Sequence, residues 1–323
     1  MRVLVTGGAG YVGSHAAKAL AQAGFEPIVF DNLSEGHSWS VRWGPLVQGE
    51  LADRELLLKT LTGYGIQAVC HFAANAYVGE SIGQPRKYFQ NNVVNSLNLL
   101  DAMLDAGVRK LVFSSSCAVY GEPQQLPLVE EHRQQPISPY GESKWFVEKA
   151  LRWYAAAYSL HSVALRYFNA SGADPDGELG EVHVPETHAV PLAIQTALGQ
   201  RPHFEIFGTD YPTADGTAIR DYVHVTDIAD AHVKALQHVL GHEESMALNL
   251  GTGVGHSVRE IVAAVERAGG RPVKILNSAR RSGDPAVLVA DGARAQHILG
   301  WQPRYSELSA IVESAWRWHT RPE

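Results

Sequence analysis

Three groups of residues in this 323-residue sequence have types and spacings that could do chemistry. The first is Tyr140-Gly141-Glu142-Ser143-Lys144. On a helix this spacing puts a phenol and an ammonium one turn apart on the same face. A phenol ionises near pH ~10, so serving as a base at neutral pH requires lowering its pKa by roughly three units, about 4 kcal/mol. Nearby positive charge favours the phenolate and works in that direction. The second group is Ser114-Ser115-Ser116, at the end of the apolar run Leu111-Val112-Phe113. A hydroxyl there can hold a substrate hydroxyl against the tyrosine. The third is Gly7-Gly8-Ala9-Gly10-Tyr11-Val12-Gly13. Tyr-x-x-x-Lys alone is common on ordinary helices, and serines at strand ends are ordinary turn formers. The three groups together describe a base, an orienting hydroxyl and a nucleotide cradle, which is the equipment for moving a hydride on and off a carbinol carbon.

The glycine run satisfies both G-x-G-x-x-G and G-x-x-G-x-x-G. Such glycines let the backbone turn tightly and approach a pyrophosphate, which then meets free N–H groups and the positive dipole end of a helix. A strand precedes the run, a helix follows it, and Asp31 closes a second strand at the expected distance. A carboxylate there accepts from the adenosine ribose and repels a 2′-phosphate, which favours NAD over NADP.

These groups need a scaffold, and the sequence pattern supplies one. Residues 2–6, 27–30, 68–72, 110–114 and 163–168 are short apolar runs that read as strands. Helices are expected at residues 14–23, at 88–106 as one amphipathic helix stopped by Gly107, and from near Pro139, where Ser138 can cap the first turn. Continuous apolar strands alternating with helices predict a Rossmann-type, doubly wound parallel α/β sheet. Beyond Ser171 the texture changes to Gly, Pro, Asp and His with longer loops. The expected division is an NAD-binding domain over 1–170 and a smaller α/β substrate domain over 171–323, with some elements shared. Trp316 and Trp318 on a terminal amphipathic helix read as packing residues, and Trp145, Trp153 and Tyr154 read as either core or interface.

Composition bounds the partners. The chain is 45% hydrophobic, so it can bury a sizeable core, and its formal charge of -7 argues against coating a nucleic acid. Its two cysteines, Cys70 and Cys117, lie in apolar strand-like runs and read as buried free thiols, with no disulfide framework and no zinc spacing. No leader and no run of ~18 apolar residues is apparent, so no membrane partner and a cytoplasmic location are expected.

The motifs resemble those of the extended short-chain dehydrogenase/reductase family over almost the whole chain. They run in order: the glycine segment through Ser14-His15, Asp31-Asn32-Leu33, His71-Phe72-Ala73-Ala74, Val78-Gly79-Glu80-Ser81, Asn91-Asn92, the three serines and Val119-Tyr120-Gly121. Leu165-Arg166-Tyr167-Phe168-Asn169, the run from Gly208 through Asp215-Gly216-Thr217 to Arg220-Asp221-Tyr222-Val223-His224-Val225, Gly251-Thr252-Gly253 and Gly283-Asp284 complete them. The resemblance implies Ser116, Tyr140 and Lys144 as the catalytic group. It implies an NAD site from Gly7, Gly10, Tyr11, Val12, Asp31, Asn32, Glu50, Leu51, Phe72, Ala73, Ala74, Asn91, Ser114 and Tyr167, with Tyr140 and Lys144 reaching the ribose side. It further implies that Asn169, Arg220, Arg281 and Asp284 hold a UDP diphosphate and ribose, that Phe207 lies against uracil, and that Tyr222 lines the same substrate site. The implied activity is reversible oxidation and re-reduction at C4 of a UDP-hexose, interconverting UDP-glucose and UDP-galactose, in a homodimer built on helices near 88–106 and 140–158.

Departures from the family pattern fall at named positions. Glu50 stands where an adenine-side Asp is usual, Ala76 where a Lys near the nicotinamide ribose is usual, and Thr187-His188 where an Asn pair is usual. His188 reads either as a phosphate donor or as an exposed loop histidine. Leu288 occupies the position that gates N-acetylated sugars and is intermediate in size, so UDP-N-acetylhexosamines stay open, and stretches around Phe72 and Gly177 to Glu181 that resemble those of plant UDP-arabinose 4-epimerases keep a UDP-pentose open. Nucleotide-sugar dehydratases carry an acid and a base directly after the strand-end hydroxyl, where this chain has Cys117 and Ala118. A protein that only senses NAD is expected to lack one of Ser116, Tyr140 and Lys144, and all three are present.

Overall fold

The computed structural model describes residues 1–281 and 284–321. Its first half alternates strands and helices: β1 (Arg2–Thr6), α1 (Tyr11–Gln22), β2 (Glu26–Asp31), β3 (Leu46–Gln48), α2 (Arg54–Gly63), β4 (Ala68–His71), α3 (Val78–Gly83), α4 (Pro85–Tyr88), α5 (Asn95–Asp105), β5 (Lys110–Ser116), α6 (Pro139–Tyr158) and β6 (His161–Tyr167). The second half continues with β7 (Asn169–Ser171), α7 (Ala189–Ala197), β8 (Phe204–Phe207), β9 (Ile219–His224), α8 (Val225–Gly241), β10 (Met246–Leu250), β11 (Gly255–Ser257), α9 (Val258–Gly269), β12 (Ile275–Ser278), β13 (Val287–Leu288), α10 (Ala293–Leu299) and α11 (Leu308–Thr320).

Seven strands form one parallel sheet in the order β10-β6-β5-β4-β1-β2-β3. Its apolar runs are explained by burial on both faces. Val3 and Val5 face a core shared with Leu20 and Ile228, while Leu4 between them faces a second core with Leu57 and Leu99. Val112 and its neighbours Leu111 and Phe113 divide in the same way. The chain leaves β1 toward β2 and β3, then returns to the other side of β1 at β4. That reversal makes the carboxyl ends of β1 and β4 a topological switch point, where such sheets bind ligands.

The segment after β6 adds a small sheet of β11, β9, β13 and β7, a β8–β12 pair, and a third core where Val190, Ile194, Ile261, Val265 and Ile311 meet. Two elements from beyond residue 171 belong to the large sheet's layers: β10 pairs with β6, and α8 packs against α1. On α11, Trp318 is buried and its indole N–H donates to the Glu181 carbonyl at 3.2 Å, while Trp316 packs against the third core. The Trp residues of the tail are therefore packing residues.

Three sequence expectations change. The first helix starts at Tyr11, directly from the glycine turn, because Gly10 already serves as its N-cap. The single helix expected over 88–106 is broken: residues Phe89–Val94 form a wide π-helical turn between α4 and α5. Apolar periodicity alone does not register that extra residue per turn, which frequently marks functional sites. Cys117 lies in a 3-10 turn after β5 and is only partly covered, whereas Cys70 is buried in β4.

Candidate active site

The site grows from the carboxyl ends of β1, β4, β5 and β6. At β1, Gly7 has φ +70°, and a Cβ there would lie 2.5 Å from the Ala73 amide nitrogen. A Cβ on Gly13 would lie 2.2 Å from the Gly7 carbonyl oxygen. Only glycine fits this crossing of loop, helix and β4 exit, so bare backbone is presented. No side chain caps the first turn of α1. Open N–H groups on glycine-lined backbone are the chemistry a pyrophosphate requires, so the loop fits a dinucleotide.

Asp31 is buried at the end of β2. Its carboxylate accepts from the Ala9 amide at 2.9 Å and the Leu33 amide at 2.8 Å, so it also ties the glycine loop to β2. Burial pushes its pKa up, opposed by those two amides. Asn32 donates to both Glu50 carboxylate oxygens, at 3.1 and 3.2 Å, and Leu51 beside them is buried. Asn32, Glu35, Asn75, Gln90 and Asn91 line a cleft of about 350 Å³. Phe72, Ala73 and Ala74 follow β4 and are partly covered, with the Phe72 ring 4.5 Å from that of His232. Val12 packs on the core beneath the loop. The Tyr11 hydroxyl donates to the Gly172 carbonyl at 2.7 Å, bridging the glycine helix to the segment after β7.

The two strand ends beside β4 bring the expected catalytic residues together. Ser116 and Tyr167 are register partners across β5 and β6, and the Ser114 and Tyr167 hydroxyls are 2.6 Å apart. Helix α6 begins as the sequence predicts, with Ser138 accepting from the Gly141 amide at 3.1 Å and Pro139 in the first turn. That start aims Tyr140 and Lys144 at the strand ends. The Lys144 ammonium donates to the Ser114 carbonyl at 2.8 Å and lies 6.0 Å from the Tyr140 ring centroid. All three side chains of Ser116, Tyr140 and Lys144 are at least nine-tenths buried.

Burial dominates the electrostatics of this group. It pushes Lys144 down to about 7, with Glu148 opposing. It pushes the Tyr140 phenol up, reinforced by Tyr167 and opposed by the Ser116 hydroxyl. The sequence expectation is that the Lys144 ammonium and a nicotinamide ring together lower the tyrosine; in the ligand-free protein burial outweighs the lysine. A half-charged ammonium 6 Å away does not outweigh desolvation of the phenolate.

Several supporting residues carry no motif of their own. Asn92, buried in the π turn, donates to the Asn75 carbonyl at 2.9 Å and the Ser143 hydroxyl at 3.0 Å, and accepts from the Asn75 amide at 2.8 Å. It clamps the β4 exit to the catalytic helix. Glu148 pairs with Arg166 at 2.6 and 2.9 Å and accepts from Ser115 at 2.6 Å, locking α6 onto β5 and β6. Glu148 lies four residues beyond Lys144, so a carboxylate on an otherwise inward helix face was the available signal.

Across the cleft, β9 and β13 carry a charged wall. Arg220 pairs with Asp284 and donates to the Ile219 carbonyl at 2.8 Å. Leu288 is its register partner on β13 and packs, like Cys117, against the cluster that holds Val119 and Phe168. Asn169 is the register partner of Tyr222, which is buried beneath the wall. The Arg281 guanidinium stacks 3.8 Å from the Phe207 ring centroid, covering the face expected to meet uracil. His188, read as either a phosphate donor or an exposed loop histidine, turns its Nδ1 to Glu181 at 2.8 Å and Glu186 at 3.1 Å. Of the Gly283-Asp284 motif, Gly283 lies outside the described residues.

A parallel sheet with a glycine cradle at its switch point and a buried Ser/Tyr/Lys group beside it defines a dinucleotide-dependent enzyme acting on a hydroxyl-bearing carbon. The model of the NAD dependent epimerase/dehydratase family matches residues 3–251, and the chain belongs to that family. The chain is 52% identical to the UDP-glucose 4-epimerase of Rhizobium meliloti (strain 1021) over 319 residues, 99% of this chain and 97% of that protein. Among solved structures it is similar to UDP-glucose 4-epimerase from Brucella ovis in complex with NAD, with a TM-score of 0.95, 52% identity, and 98% and 97% of the two chains covered. UDP-glucose-4-epimerase from Stenotrophomonas maltophila, with bound NAD and formylated UDP-arabinopyranose, gives a TM-score of 0.95 at 42% identity over the same shares. NAD is the family's cofactor, and the glycine cradle fits it. Among the described residues, no helix is long and apolar enough to cross a membrane.

Proposed function

We propose that this enzyme interconverts UDP-glucose and UDP-galactose through a 4-keto sugar, with NAD held throughout. The observation that carries the reading is the Ser116–Tyr140–Lys144 group assembled and buried beside the glycine cradle. Tyr140 takes the proton from the sugar 4-hydroxyl and Ser116 orients that hydroxyl. Lys144, fixed on the Ser114 carbonyl, stands near the phenol, where its protonated form favours phenolate. When bound, NAD would supply reversible hydride transfer at C4 and a positive ring that favours phenolate, and Tyr140 would hand the proton back to the 4-oxygen. The remaining NAD contacts fall to Gly7, Gly10, Tyr11, Val12, Asp31, Asn32, Glu50, Leu51, Phe72, Ala73, Ala74, Asn91, Ser114 and Tyr167.

We assign residues 171–323 to the UDP-sugar, with β10 and α8 lent to the NAD-binding unit. Arg220 exchanges Asp284 for the diphosphate, Asn169 and His188 add donors, and Arg281 leaves Phe207 as uracil arrives. The fixed fork of Arg suits phosphate. Leu288 and Tyr222 shape the sugar pocket. A homodimer is supported by exposed apolar side chains on α6 and the π turn: Trp153 is 76% exposed, Phe146 44% and Val94 41%. Trp153→Glu should shift the species sedimenting as a dimer to a monomer. Two unpaired cysteines agree with a cytoplasmic location.

The test is NMR of UDP-galactose incubated with the purified protein and no added NAD. UDP-glucose should appear with no net redox change. A 4-keto-6-deoxy sugar in place of the epimer overturns the proposal in favour of dehydration. Parallel tubes of UDP-N-acetylgalactosamine and UDP-arabinose rank the substrates.

A further inference from the structure

The loop between β7 and α7 gathers Glu181, His183, Glu186 and His188, a set that the proposed hydride chemistry does not require. Their donor atoms converge on one point. Glu181 Oε1 lies 2.8 Å from His188 Nδ1 and 3.3 Å from His183 Nδ1. Glu186 places Oε1 3.1 Å from His188 Nδ1 and Oε2 3.6 Å from His183 Nδ1. One atom from each of the four side chains lies within 4.8 Å of the other three. Ligands about 2.0–2.1 Å from a tetrahedral zinc-class ion stand roughly 3.3–3.4 Å from one another. The imidazole–carboxylate separations of 2.8–3.6 Å bracket that value, with Glu186 offering a different oxygen to each imidazole.

A second observation points to a missing partner. Glu181 is 3% exposed, and neither its Oε1 nor the buried His183 Nδ1 completes a hydrogen bond, despite these approaches. Desolvation of this buried carboxylate needs a positive charge beside it, which either protonated His183 and His188 or a bound cation in place of their protons supplies. Two imidazole nitrogens and two carboxylate oxygens suit zinc-class ions and are a poor match for calcium or magnesium, which take oxygen.

The surroundings hold these side chains in place, as outer-shell partners of metal ligands do. Glu186 Oε1 accepts from the Thr187 amide at 2.7 Å and the His188 amide at 2.8 Å. The Trp318 indole bonds the Glu181 carbonyl at 3.2 Å. The His183 ring stands edge-on to Tyr77 and Tyr11, with centroids 6.0 and 6.3 Å away.

We propose that Glu181, His183, Glu186 and His188 form a site for one zinc-class divalent cation, beside the glycine loop and separate from the Ser116–Tyr140–Lys144 group. The ion would pin this loop and the start of α7 against Tyr11 and Tyr77. The ligand atom of His188 is Nδ1, so its Nε2 stays available to a diphosphate, and the site stands whether or not the sugar assignment does.

The experiment uses the full-length, NAD-containing protein without a polyhistidine tag, dialysed against chelator and titrated with Co²⁺. The expected result is one equivalent bound per chain with the intense visible bands of tetrahedral cobalt, bleached by stoichiometric Zn²⁺. Glu181→Gln and His183→Asn should each weaken binding at least tenfold, since even outer-shell losses cost about 10–100-fold. Retained NAD reports that the variants are folded; if both lose it, the titration of the unaltered protein decides. The absence of a saturable band at millimolar cobalt overturns the proposal, as does an unchanged band in both folded variants. The cluster would then be a histidine–carboxylate hydrogen-bond network.

Discussion

The two walls of the active-site cleft solve opposite problems. On the sheet side, Tyr140 and Lys144 are buried with few partners, and desolvation sets their ionisation. On the β9–β13 side, Arg220 is already paired with Asp284 and Arg281 already lies on Phe207. The first wall lacks charge and is completed by what binds to it. The second holds charge in reserve and must release it. Chemistry is therefore concentrated where water is excluded, and grip where charge can be exchanged between protein and ligand.

The largest effect should come from breaking the buried wall at its reacting atom. Tyr140→Phe removes the proton acceptor while keeping the ring that packs edge-on to Tyr88, 6.4 Å between centroids. Turnover of UDP-galactose should fall by about 10²–10⁴-fold with NAD retained. A loss below tenfold in steady-state kinetics would remove Tyr140 from the role of base.

Next in size is the support beneath that wall. Arg166 is 1% exposed and Glu148 is 3% exposed. Arg166→Met leaves a buried carboxylate without its cation, a change that costs about 3–5 kcal/mol. Denaturant unfolding should show it, and the double variant Arg166→Met, Glu148→Leu should recover most of the loss. If the single variant unfolds like the parent, the pair does not hold α6 on the sheet.

The two walls were unequally legible in the sequence. The sheet announces itself because strands buried on both faces need unbroken apolar runs, and the glycine turn and Tyr-x-x-x-Lys spacing are local. The start of α6 follows from Ser138 and Pro139 alone. What escaped depends on contacts between distant segments. The π turn at Phe89–Val94 is set by Asn92 reaching Asn75 and Ser143, which no window of periodicity contains. The Arg166–Glu148 pair looked like two unrelated residues, one in a strand and one on a helix. His188 could be placed in a loop, but its meeting with Glu181, Glu186 and His183 depends on how that loop folds back. The upward push that burial gives Tyr140 in the ligand-free chain was not legible either: charge spacing is written in the sequence, and desolvation is not.

Breaking the charged wall should act on binding. Arg220→Met removes charge-assisted hydrogen bonds to a diphosphate, each about 1.5–3 kcal/mol, or roughly 10–150-fold in affinity. KM for the UDP-sugar should rise by that order while kcat changes little. Asp284→Asn, which frees Arg220 from its partner, should have a smaller effect. A fall in kcat with unchanged KM would place Arg220 with the reacting atoms and erase the distinction between the walls.

The signal smallest per step of pH is a slope, and it tests the buried wall without substrate. The Lys144 pKa is pushed down to about 7 in the folded chain, against an ordinary value of ~10.4 when unfolded. Between those values the unfolded state binds more protons, so stability rises with pH. The cost of burying the ammonium is fully present below pH ~7 and disappears as pH rises through ~10.4. One such group contributes at most about 1.4 kcal/mol per pH unit. Lys144→Met should therefore flatten the stability–pH curve of the NAD-free protein between pH 7 and pH 10, with its largest gain over the parent at the acid end. Urea unfolding at three pH values measures this. Parallel curves for parent and variant would mean that Lys144 keeps its charge by other means, and that the sheet wall, like the one facing it, carries positive charge before any ligand arrives.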